Sequence, residues 1–278
     1  VVNHYQNSIS NYNKLATNKL LNSSVAPLLL ILSGLLYLDK WIMLSCFLLG
    51  QICILVFNKE AYSGIRDLIL NKAIKTAKSH YRFPKFLVPS TLSSELSGNL
   101  PIILSTTFFN VEFAGFLFMA NRLISIPITF IGNSISEVYR QKAVELFNEE
   151  GNCLQLFMSF FKVLCLIGLV SMGIAYFFSV PVIEYFFGPN WGTTARIIRI
   201  YSIMVCFQII STPLSYSIIL KNNQRLDFAL QIIRLGITIL SFLIGYYNQD
   251  FFLAIKIYVF GYVIYYLLHS YLQFQSVK

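Results

Sequence analysis

From Pro84 to Tyr139 the chain runs through two long apolar stretches, PKFLVPSTLSSELSGNLPIILSTTFF and FAGFLFMANRLISIPITFIGNSISEVY, separated by the break NVE. At 1.5 Å per residue each is long enough to cross a hydrocarbon core of about 30 Å, which predicts two antiparallel membrane-spanning helices. Each carries one charge near its middle, Glu95 in the first and Arg122 in the second. At 100° per residue, Arg122, Ser125, Thr129, Gly132 and Ser136 share one side of the second helix. Thr91, Ser94, Glu95, Gly98 and Ser105 likewise share one side of the first. An ionised group at mid-bilayer costs at least ~2.5 to 3.5 kcal/mol, so these stripes are expected to face protein or water. For Glu95 with Arg122 two roles are open, an ion pair joining adjacent helices or the handling of a ligand or proton. A pair that opens as a gate serves both.

Periodicity and length give six further spans, at about 17–38, 41–57, 156–180, 197–220, 226–247 and 251–274. The fold expected is an all-α polytopic membrane helical bundle with eight spans. Residues 1–57 form the tail of an N-terminal lobe with two spans, 58–83 a cytoplasmic linker, and 84–278 a six-helix C-terminal lobe. The linker sets Lys59, Arg66, Lys72, Lys75, Lys78 and Arg82 against Glu60 and Asp67, with an apolar side at Ile65, Leu68, Ile69 and Ile74. That pattern suits a helix lying on an anionic inner leaflet. A polar loop is expected over Arg140–Gln155, and an aromatic, turn-forming outer segment over 181–196.

A second polar stripe repeats the first, since Asp227, Gln231, Arg234, Thr238, Ser241 and Gly245 follow one another at steps of four and three residues. Gln208, Ser211 and Ser215, beside Pro213, make an uncharged third. Lys162 and Lys256 sit in spans whose flanks suit snorkelling to the headgroups, a reading also open for Arg234, and His269 is expected at an interface.

Composition fits this picture. Only 12% of residues are charged and 56% are hydrophobic, with a mean hydropathy of +0.65, about half the ~25% charge of soluble domains. The net charge of +9 would suggest nucleic acid in a soluble chain. Here it follows the positive-inside rule: with the linker cytoplasmic, alternation leaves only Lys40, Arg196 and Arg199 among the loop cations outside. Five cysteines, mostly within apolar runs and without paired spacing, predict no disulfide and no metal site. No phosphate loop, ligand cluster or nucleophile elbow is present, so neither a cofactor nor an enzyme is expected. The first residue is Val1 rather than Met, and the chain is expected to be part of a longer polypeptide.

The segments YRFPKFLVPSTLSSELSGNLPIILS (81–105), AGFLFMANRLISIPITFIGNSISEVY (114–139) and FFGPNW (186–191) resemble the Wzx-type O-antigen and oligosaccharide repeat-unit flippases. These are the polysaccharide-transporter branch of the multidrug/oligosaccharidyl-lipid/polysaccharide exporter superfamily. The resemblance is most specific around Asn121, Arg122 and Pro127. It implies twelve spans in two lobes, of which residues 17–57 match spans five and six and 84–274 the second lobe. It further implies passage of an undecaprenyl-diphosphate-linked oligosaccharide, an O-antigen or capsule repeat unit, across the bacterial inner membrane by alternating access. The partners implied are that substrate, membrane lipid and other polysaccharide assembly proteins, with no nucleic acid. On this reading Arg122, Arg234, Asn121, Ser125, Thr129 and Gln231 bind substrate and Glu95 gates or couples. A multidrug or cation exporter of the same superfamily is the alternative, and a membrane polysaccharide polymerase or ligase a more distant one.

Overall fold

Residues 27–36, 39, 41–42, 45, 85–86, 88–221 and 223–277 are described by the structure, a computed structural model. The chain divides into two units, Val1–His80 and Tyr81–Lys278. In the first, residues 27–35 are helical, and Ser33 Oγ donates back to the Leu30 carbonyl at 2.8 Å. Most of the spans expected at 17–38 and 41–57, and the whole of the 58–83 linker, lie outside the described residues.

Apart from its short connections, the described part of the second unit is helical. It comprises α1 (Val88–Phe108), α2 (Val111–Glu150), α3 (Leu154–Phe187), α4 (Gly192–Ser211), the short α5 (Tyr216–Leu220), α6 (Gln224–Tyr247) and α7 (Phe251–Ser276). Among the described residues, five stretches are long and apolar enough to cross a membrane: α2, α3, the run from Pro189 to Leu220 that contains α4 and α5, α6, and α7. This is a multi-pass membrane protein. The stretch expected to span at 84–109 contains the 21-residue helix α1, but that helix is not among those five because serines, threonines and Glu95 dilute its apolar run, so the eight expected spans are not all found.

Local sequence explains where helices start and stop. Asn110 caps α2, its side chain accepting from the Phe113 N–H at 2.7 Å, and Asp250 caps α7 through the Leu253 N–H at 3.0 Å. The expected polar loop at Arg140–Gln155 is mostly helix, since α2 continues to Glu150. Ala143, Leu146 and Phe147 prolong its apolar side and pack with Leu154 and Phe157 of α3. Gly151, at φ 70°, then ends it by donating its N–H to the Phe147 carbonyl. The outer segment expected over 181–196 is also mostly helix, because α3 runs through Pro181 to Phe187 before a 3₁₀ turn at Pro189–Trp191. A proline forfeits one helical hydrogen bond, whereas uncoiling in apolar surroundings would leave several backbone groups unpaired.

α4 is the centre of the unit. In its most apolar window 56% of residues are buried, against 17% for α3, which therefore leaves most of its surface uncovered within this unit. α3, α2 and α7 all pack on α4, α6 packs on α7 and α1, and α1 returns to α2. The helices α1, α2, α4, α7 and α6 thus close a ring, with α3 outside it. Small residues set the tightest approaches: a Cβ at Gly245 of α6 would lie 2.3 Å from that of Ala254 of α7, and one at Gly168 of α3 would lie 2.9 Å from the Cys206 carbonyl oxygen of α4.

Candidate functional site

The ring helices line a partly open cavity of about 300 Å³ to which all five contribute. α1 supplies Gly98 and Asn99, α2 supplies Asn121, Arg122 and Ser125, α4 supplies Tyr201 and Gln208, α6 supplies Arg234, and α7 supplies Tyr258, Tyr262 and Tyr266. Two guanidinium groups more than 100 residues apart in sequence therefore line one space. No described acidic residue lines it.

Arg234 is half-buried and held by neutral partners. Its Nε donates to Tyr262 Oη at 3.3 Å, its Nη1 donates to Ser94 Oγ at 3.2 Å, and its guanidinium lies 5.3 Å from the centre of the Tyr262 ring. Tyr262 is fixed in turn by Thr238 Oγ1 at 2.9 Å and donates to the Ser97 carbonyl at 3.3 Å. Its ring is 4.2 Å from that of Tyr258 and 6.0 Å from that of Tyr266. The nearest acid along α6, Asp227, lies two turns away and accepts from Ser90 Oγ of α1. A guanidinium has five N–H donors, and ring faces and hydroxyls leave its charge unneutralised. An anion in the cavity would neutralise that charge.

The Tyr201 hydroxyl points the same way. Tyr201 is buried, lines the cavity, and among the described residues its Oη has no hydrogen-bond partner. An orphaned buried donor costs about 1–3 kcal/mol, a deficit that a polar ligand in the cavity would offset.

The other sequence-derived residues divide. Asn121 and Ser125 line the cavity with Arg122, whereas Thr129, two turns from Arg122, is exposed and donates back to the Ser125 and Ile126 carbonyls. Gln231 lies outside the cavity one turn from Arg234, and its Oε1 is buried without a partner among the described residues. Glu95 is exposed and forms no ion pair with Arg122. The buried stripe of α1 is Ser90, Ser93, Ser97, Pro101 and Ser105; Ser94 and Gly98 lie at the cavity edge, and Glu95, exposed one turn before the cavity-lining Asn99, does not itself line the cavity. The periodicity of α1 is right but its inward face is rotated from the expected one, because small serines admit close packing where the acid does not. His269 is not interfacial: it is 4% exposed, and its Nδ1 lies 2.7 Å from Ser211 Oγ and 3.1 Å from Gln273 Nε2. Lys162 and Lys256 are exposed on their helices.

The tyrosines of α7 escaped assignment to the site. Their spacing, at 258, 262, 265 and 266, does mark a polar side of that helix, but only the fold brings it against Arg234.

A family model described as "Polysaccharide biosynthesis protein" matches residues 2–196. No curated protein and no solved structure matches the chain. Since that match spans well over half of the 278 residues, the chain belongs to the polysaccharide biosynthesis protein family.

Proposed function

We propose that this chain forms part of an eight-or-more-span transporter that flips an undecaprenyl-diphosphate-linked oligosaccharide across the bacterial inner membrane by alternating access. In this reading the ring cavity receives the diphosphate or an acidic sugar, and the protein moves the molecule without changing a covalent bond. The observation that carries it is the meeting of Arg122 and Arg234 in one cavity free of described acids. A guanidinium matches a phosphate oxygen pair by geometry as well as by charge. Asn99, Asn121, Ser125 and Gln208 add uncharged groups suited to sugar hydroxyls. A cation or cationic-drug exporter is disfavoured by the same lining, since its cargo would face two like charges.

The test is Arg122→Ala in cells, with surface polysaccharide measured at matched protein level. Output reduced tenfold or more is expected, with partial rescue by Arg122→Lys. Unchanged output removes Arg122 from substrate handling.

A further inference from the structure

A second space adjoins the cationic cavity. α2 and α3 touch near their ends, through Tyr139 and Phe160 with ring centres 5.4 Å apart, and through Trp191, which meets Phe116 of α2 at 5.8 Å and Phe187 of α3 at 6.0 Å. Between these clasps the two helices part, leaving a fissure of about 520 Å³ floored by Ile198, Val205 and Ile209 of α4. Its walls are almost wholly apolar. Its α3 rim, Ile174, Phe178 and Phe186, is exposed by 58%, 58% and 71%, so it opens sideways rather than into the ring.

Ile124 and Ile128, one turn apart on α2, line both the fissure and the cationic cavity. The two spaces therefore meet along α2, polar toward Arg122 and Ser125 and apolar toward α3. Pro127 lies at this turn and also lines the fissure. It offers no N–H to the preceding turn, so α2 is easiest to bend there.

An anion-receiving cavity that shares Ile124 and Ile128 with an adjoining, outwardly open apolar slot has the chemistry of an amphiphile with a charged head and a hydrocarbon tail. We infer that the fissure between α2 and α3 seats the head-proximal part of the polyprenyl tail while the diphosphate occupies the Arg122–Arg234 cavity. This rests on the substrate reading above. A dry cavity of ~150 Å³ holds one benzene, so the fissure holds roughly three such groups, on the order of three to four isoprene units. The rest of the tail would leave through the open rim into the bilayer.

The experiment uses the purified protein in nanodiscs with a polyprenyl diphosphate carrying a diazirine on its third isoprene unit. Photocrosslinks are mapped by mass spectrometry. The inference predicts label concentrated on residues 171–187 of α3, competed by unlabelled polyprenyl diphosphate and not by phospholipid. Ala175→Trp, which fills the fissure, is expected to lower this label at least fivefold while Arg122-dependent binding of dimethylallyl diphosphate, too short to enter, stays within twofold. Label spread evenly over the exposed apolar faces, or displaced equally by phospholipid, overturns the fissure assignment and leaves the cavity assignment standing. Absence of Arg122-dependent binding of the short diphosphate overturns both. The wild-type map stands on its own if Ala175→Trp does not fold.

Discussion

Arg234→Gln separates a ligand-binding arginine from a structural one. Among the described residues the guanidinium makes two hydrogen bonds, at 3.3 and 3.2 Å, both longer than the usual ~2.9–3.0 Å for N–H···O. Its ring contact with Tyr262, at 5.3 Å, is worth ~0.5–1 kcal/mol. Losing these weak contacts while relieving a charge without an acidic partner costs the fold on the order of 1 kcal/mol, or about 2–4 °C in melting temperature for a unit of this size. A charge-assisted hydrogen bond to a phosphate oxygen is worth more, about 1.5–3 kcal/mol, so its loss weakens binding roughly 10- to 100-fold. The assay is calorimetric titration of the detergent-solubilised protein with a short polyprenyl diphosphate, beside a thermal melt of the same sample. The corresponding uncharged polyprenol serves as control and should bind wild type and variant alike. An affinity for the diphosphate unchanged within twofold, or an equal loss for diphosphate and alcohol, would refute the assignment of Arg234 to the anion.

Four further variants test the packing and the role of Glu95. Gly245→Val should destabilise the α6–α7 pair by about 1–3 kcal/mol through overpacking against Ala254, whereas Gly173→Ala, with nothing within 4 Å of the added Cβ, should leave the melting temperature unchanged or slightly raised. Ser211→Ala should cost about 0.5–1.5 kcal/mol, since it removes the 2.7 Å contact to the buried His269 Nδ1 while Gln273 Nε2 remains 3.1 Å from that atom; an unchanged melt would show that this contact contributes nothing. Glu95→Gln should leave the melt unaltered because the side chain is exposed, so reduced surface polysaccharide at normal protein level would assign Glu95 to coupling, and normal output would dismiss it from that role.

The long apolar runs made most of the helices of the second unit legible from sequence, because a bilayer leaves few alternatives to a helix of that length. The ends were less legible. α2 passes through Arg140 and Lys142 because Ala143, Leu146 and Phe147 still find partners on α3, and α3 passes Pro181 because breaking there would strand more backbone groups than continuing. The meeting of Arg122 and Arg234 could be anticipated from two matching polar stripes. Which way α1 turns could not, since periodicity fixes a set of faces and packing chooses among them. Here five small residues were buried and Glu95 was left outside. The tyrosine lining was least legible, because a buried tyrosine on a membrane helix serves equally well as core, and only Arg234 beside Tyr262 distinguishes the two uses.

The central claim, that Arg122 and Arg234 form a single anion site, is tested most directly by a structure of the protein with a short polyprenyl diphosphate bound. The account predicts phosphate density within hydrogen-bonding reach of both guanidinium groups and of the Tyr201 hydroxyl. Phosphate bound elsewhere, or the two arginines turned into lipid on separate sides of the bundle, would contradict it.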